Sequence, residues 1–223
     1  LISQLPKWVE VGALILALIA GCVNAIGLLG FEHQSVSHLS GTATMLGTEL
    51  VPQLTSSSWQ NIFHLLGVLL AFLIGAATAG FLLHGATLKL GKHYDTALFF
   101  EAVLLLIAAW FLVSGSFYGH FFASAACGLQ NAMATTYSGA IIRTTHVTGI
   151  FTDLGIMLGG VFRGEALDKL KAKLFLYIIF GFVLGGMLGA LLFAKIQFMA
   201  MTVPASVCVL MAFTYRVYLR SHR

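Results

Sequence analysis

The sequence predicts an all-α polytopic membrane protein: six transmembrane helices plus two short re-entrant helices, arranged as a pseudo-symmetric, inverted repeat. Three observations predict it: scarce charge, six apolar runs long enough to cross a bilayer, and one polar-then-apolar phrase written twice. Of 223 residues, 59% are hydrophobic and only 9% charged, with a mean hydropathy of +0.94. A soluble domain carries about 25% charged residues, so lipid must be the solvent for much of this surface. Alternating strands of about ten residues, which would mark a spanning barrel, are missing. The whole chain, residues 1–223, reads as a single membrane domain.

The first run, Trp8 to Gly30, is long, carries Asn24 near its far end and is followed by no small-residue cleavage site. It therefore reads as a span rather than a removed signal peptide. Gln60 to His84, Thr96 to Val113, Phe117 to Tyr137, Ala172 to Phe193 and Phe198 to Tyr218 complete the six. Trp8, Trp59, Tyr94, Tyr118 and Tyr218 stand at run ends, where an aromatic belt belongs. Cys22, Cys127 and Cys208 lie inside apolar runs without metal-ligand spacing and read as small buried hydrophobes. Small-residue rows, Gly75 with Ala79 and Gly181, Gly185 and Gly189, predict close helix packing within the chain or in a homodimer.

Two further runs, Gly41 to Leu54 and Gly149 to Phe162, are short. About fourteen residues at about 1.5 Å each cover about 21 Å, less than a hydrocarbon core of about 30 Å. Charge placement agrees with partial insertion. If neither short run crosses, eleven of the twelve Lys and Arg residues fall on one side with both termini, and only Lys195 on the other. That side is cytoplasmic by the positive-inside rule.

Both short runs follow the repeated phrase. HLSGTATMLG begins at His38 and HVTGIFTDLG at His146, 108 positions later, with five identities. GCVNA (Gly21 to Ala25) is matched by GLQNA (Gly128 to Ala132), and AFLIGAATAG (Ala71 to Gly80) by GFVLGGMLGA (Gly181 to Ala190). The halves are residues 1–114 and 115–223. Three spans per half is an odd number, so the halves enter the membrane from opposite sides. Inverted repeats place a substrate site near the midplane, where the halves meet.

These paired motifs, His38 to Gly41 after Gly21, Asn24 and Ala25, and RTTHVTG (Arg143 to Gly149) after GLQNA, resemble the YoaK-like bacterial integral membrane proteins. The resemblance covers nearly the whole chain and implies an inner-membrane location. That family more usually carries Asp where Asn24 stands and Asn where Thr42 stands.

A re-entrant helix must satisfy its first amides inside hydrocarbon, where each orphan costs several kcal/mol. Ser40, Thr42 and Thr148 are suited to cap such ends. Capping does not explain the matched His38 and His146. Two facing helix starts favour an anion or carboxylate, to which the histidines add hydrogen bonds. Arg143 is either part of this site or an edge anchor. Asp153 lies on the His146 face of its helix and could relay protons with His146 or pair with Arg143, whereas Glu49 reads as a solvated helix end. Asn24 and Asn131 either line the site or join helices. Glu101, His64, His84, His93 and His120 read as interfacial.

The expected function is a small-solute transporter or channel, selective for an anionic or carboxylate-bearing solute at Asn24, His38, Ser40, Thr42, Asn131, Arg143, His146, Thr148 and Asp153. The alternatives are a membrane enzyme on a lipid-like substrate, with His146, Asp153 and Arg143 as acid–base groups, or an accessory subunit. No nucleotide loop or metal motif appears in the sequence. The expected partners are membrane lipids and the solute, with no cofactor and no nucleic acid.

Overall fold

The structure, a computed structural model, describes residues 7–30, 33, 35–51, 58–83, 93–137 and 144–221. These residues form α1 (Lys7–Leu29), α2 (Leu39–Glu49), α3 (Trp59–Leu82), α4 (Tyr94–Val113), α5 (Tyr118–Tyr137), α6 (Val147–Phe162), α7 (Lys169–Ile196) and α8 (Thr202–Ser221). A 3-10 turn, Gln197–Met201, joins the last two. Four stretches are long and apolar enough to cross a membrane: Glu10–Leu29, Trp59–Leu82, Tyr94–Val113 and Lys169–Ser221, the last holding α7 and α8. α5 has 20 residues but falls short in apolarity, because His120, Ser124, Gln130, Asn131, Thr135 and Thr136 lie along it. Multiple long apolar helices make this an integral membrane protein.

Two helix pairs carry the core, and glycine brings both into backbone contact. The carbonyls of Leu14, Leu18 and Cys22 on α1 meet Gly181, Gly185 and Gly189 on α7, in that order, so these helices run parallel. α3 and α5 also run parallel, with Val68 O accepting from Ser124 Oγ at 2.9 Å and Phe72 O against Gly128. A Cβ on Gly75 would strike Ala125 O, and one on Gly185 would strike Leu18 O. Gly21 rests on Phe182 O as Gly128 rests on Phe72 O. By the sequence match these are the same two contacts with the helices exchanged.

α5 runs antiparallel to α1. Ala134, late in α5, clusters with Ala13 and Ala17 early in α1, while Ala123, Ala126 and Cys127 cluster with Cys22, Val23 and Ile26. Gln130 Nε2 donates to Leu16 O at 2.6 Å between them. α4 and α8 are antiparallel, with Tyr94 edge-on to Tyr215. The starts of α1, α4 and α7 and the end of α8 therefore share one end of the bundle. Glu10 pairs there with Lys173 at 2.8 Å, and Asp95 with Arg216 at 3.9 Å. Lys169, Lys171 and Arg220 lie at that end as well, and Lys195 near the other end of α7.

Several expectations change. Cys22, Cys127 and Cys208 are free and buried, as read. Glu101 is not interfacial: it is 1% exposed, inside the bundle. His64 and His120 are buried and lie ring to ring at 5.3 Å. His84 lies outside the described residues. Polar side chains near run ends look interfacial in one dimension, and only lateral packing reveals that neighbouring helices cover them.

Candidate functional site

The two repeated phrases meet at one cavity. It has a volume of about 600 Å³ and is lined by Ser37, His38, Leu39 and Ser40 from the first phrase and Thr145, His146, Val147 and Thr148 from the second. α3 adds Phe72 and Ala76, and α5 adds Asn131, Ala132, Thr135 and Thr136. Each phrase supplies the start of a helix. His38 is the N-cap of α2 and His146 that of α6, and neither side chain caps its helix. The expected Ser40, Thr42 and Thr148 caps are corrected here: all three lie inside the first turns, because each histidine carbonyl already begins the helical ladder. His38 O accepts from Gly41 N at 3.1 Å and Thr42 N at 3.4 Å, and His146 O from Ile150 N at 3.2 Å. The amides of Leu39 and Ser40, and of Val147 and Thr148, have no intrahelical acceptor by position. They belong to residues that line the cavity.

Depth follows from the neighbours. The His38 ring lies 5.6 Å from that of Phe182, near the middle of the 28-residue α7. On the second side Thr144 accepts from Gln130, which also donates to Leu16 O near the middle of α1. Both short helices thus start near mid-bundle.

Different polar clamps hold the two approaches. Asn24 Oδ1 accepts from Ser35 Oγ at 2.9 Å, Ser37 Oγ at 2.8 Å and Ser37 N at 3.3 Å. Thr42, 1% exposed, donates to Ser35 O at 3.4 Å. Asn24 and Thr42 therefore brace the strand leading to His38 rather than line the cavity. On the other side Gln130 Nε2, besides bonding Leu16 O, donates to Thr144 Oγ1 at 3.2 Å. Asn131 is left at the cavity wall, its Oδ1 buried and without a partner among the described residues. His38 Nε2 is also buried without a partner among the described residues.

Of the sequence-derived site residues, His38, Ser40, Asn131, His146 and Thr148 converge on the cavity. Asp153 does not line it: this carboxylate pairs with Lys171 at 3.6 Å, both partly exposed. Arg143 lies outside the described residues. Ser37, Thr145, Thr135 and Thr136 were not singled out in the sequence, and Gln130 is noted there only beside Asn131. Extending the repeat back one position, to Ser37 and Thr145, and forward one helical turn from Asn131, to Thr135, would have found three of them. Among the described residues the cavity wall holds no Asp, Glu, Lys or Arg; it is rich in hydroxyl and amide groups, and apolar at Phe72, Ala76 and Ala132. No group of three His, Cys, Asp or Glu among the described residues is placed to hold a metal ion.

Fold and cavity together define an integral membrane protein with an open cavity where its two repeated phrases meet. Residues 12–214 match the family described as protein of unknown function (DUF1275). The chain belongs to that family, the YoaK-like membrane proteins that its paired motifs resemble. No curated protein and no solved structure matches it significantly.

Proposed function

We propose that this protein is a six-span carrier or channel for a small anionic, carboxylate-bearing solute, held between two half-helix starts in the bilayer interior. α3 runs opposite to α1, and α7 opposite to α5. Each connection that holds a short helix therefore leaves and rejoins the bundle on one side, which makes α2 and α6 re-entrant from opposite sides. The halves, residues 1–114 and 115–223, then form an inverted repeat. The exchanged glycine contacts, Gly21 on Phe182 and Gly128 on Phe72, support this arrangement. The end rich in Lys and Arg is cytoplasmic by the positive-inside rule, and the membrane is the bacterial inner membrane.

The observation that carries the reading is the single cavity of about 600 Å³ shared by His38–Ser40 and His146–Thr148. Helix starts carry partial positive charge, and their free amides suit an anion's oxygens. With no acidic side chain on its described wall, the cavity adds no repulsion. Asn131 brings a side-chain amide to the cavity wall.

The test is uptake of acetate, formate, nitrate and chloride into proteoliposomes by wild type, His146→Ala and Asn131→Ala. Losing one hydrogen bond to a charged solute costs about 1.5–3 kcal/mol, so each variant is expected to slow carboxylate uptake by at least about tenfold. Wild-type rates no greater than those of protein-free vesicles would end the transport reading. Unchanged rates in both variants would move the site elsewhere.

A further inference from the structure

We infer that Glu101 is an exchangeable, proton-carrying carboxyl inside the α4/α5/α8 interface, reached from the basic end of the bundle. Its side chain is 1% exposed and lies two turns into α4. The Cys208 thiol of α8 donates to this carboxyl, and the Cys127 thiol of α5 lies beside it. Its Oε2 is buried without a hydrogen-bond partner. Among the described residues no Lys, Arg or His pairs with it. The 3-10 turn Gln197–Met201, the other element packed on α4, carries no titratable group.

An unpaired carboxylate in such a place loses its hydration and gains no counter-charge, while the neutral acid needs neither. Ionisable groups within membrane bundles are expensive, and commonly serve proton relays and ion pathways. The seam between α4 and α8 holds an open groove of about 380 Å³, lined by Asp95, Thr96 and Arg216 and by the apolar Phe99, Val209, Ala212 and Phe213. Asp95 and Arg216 mark its mouth at the basic end, and Ala212 is one helical turn from Cys208. Glu101, beside Cys208, thus lies about one turn beyond a groove at the basic end, and α5 alone is shared between its interface and the solute cavity.

The experiment is infrared spectroscopy of the full chain in liposomes at neutral pH, in H₂O and then D₂O. Wild type is expected to show a protonated-carboxyl C=O band that shifts in D₂O and is lost in Glu101→Gln, a near-isosteric change. Cys208→Ala keeps the carboxyl but removes its thiol donor, and should move the band to higher frequency. A wild-type spectrum with no band that Glu101→Gln removes would overturn the inference. So would a band unmoved by long exposure to D₂O, or unchanged in Cys208→Ala. The measurement uses no solute, so it stands or falls independently of the transport reading.

Discussion

The two copies of the repeated phrase match in sequence but differ in their contacts. Asn24 and Asn131 occupy the same place in GCVNA and GLQNA. Asn24 is saturated by Ser35 and Ser37, whereas Asn131 lies at the cavity wall with its Oδ1 buried and without a partner among the described residues. Gln130 has taken over the bracing on the second side. The histidines diverge as well. His38 leans on Phe182, and a Cβ on Gly41 would meet open space. His146 folds back over the first turn of α6, where its ring occupies the space a Gly149 side chain would need. Both copies line the cavity, but the approach to the first is braced by Asn24 and the approach to the second by Gln130. Duplication supplies two matched scaffolds, and one polar group can be released from bracing only when a neighbour assumes that task.

The largest expected effect tests what the copies still share. Gly75→Leu and Gly185→Leu each drive a side chain into a facing carbonyl, and overpacking of this kind costs about 3 kcal/mol. Thermal unfolding in detergent should show similar losses for both; a large difference would break the equivalence of the helix pairs. Next comes the asparagine contrast. Asn24→Ala strands two serine hydroxyls and an amide, and should destabilise by about 2 kcal/mol. Asn131→Ala should keep wild-type stability within about 1 kcal/mol while solute uptake falls, because it removes an acceptor that has no protein partner. Equal loss of stability in both would erase the division of labour.

The glycine contrast is smaller. Gly41→Ala should raise stability by about 0.5–1 kcal/mol, as Gly to Ala does in an open helix position, with uptake preserved. Gly149→Ala displaces the His146 ring and should lower uptake; equal uptake in both variants would dissociate the ring position from the site. Smallest is Asp153→Asn. Its ion pair with Lys171 is partly exposed, so stability should change by less than about 1 kcal/mol and uptake should stay at the wild-type rate. A large drop in uptake would return Asp153 to the site.

The helices themselves were largely legible, since long apolar runs mark their own length. α1 and α3 to α8 begin and end within a few residues of the runs that foretold them. α2 starts at Leu39, earlier than the apolar run at Gly41, because the His38 carbonyl, not a hydroxyl, opens its ladder. Glu101, His64 and His120 were misplaced at the interface for one reason: position along a helix says little about which neighbours cover its sides. Asp153 was drawn to the site by helical phase alone, yet Lys171 from the next helix claims it.

The amino-acid order by itself determined that the chain lives in lipid, where its spans run, and that two abbreviated helices follow a duplicated polar phrase. Those are local properties, set by hydropathy, run length and backbone chemistry. Whether the phrases meet, which asparagine oxygen has no partner among the described residues and which acid is buried beside thiols were decided only by packing. Each depends on groups from helices distant in sequence, and glycine contacts such as Gly185 on Leu18 bring those helices close enough to choose among them.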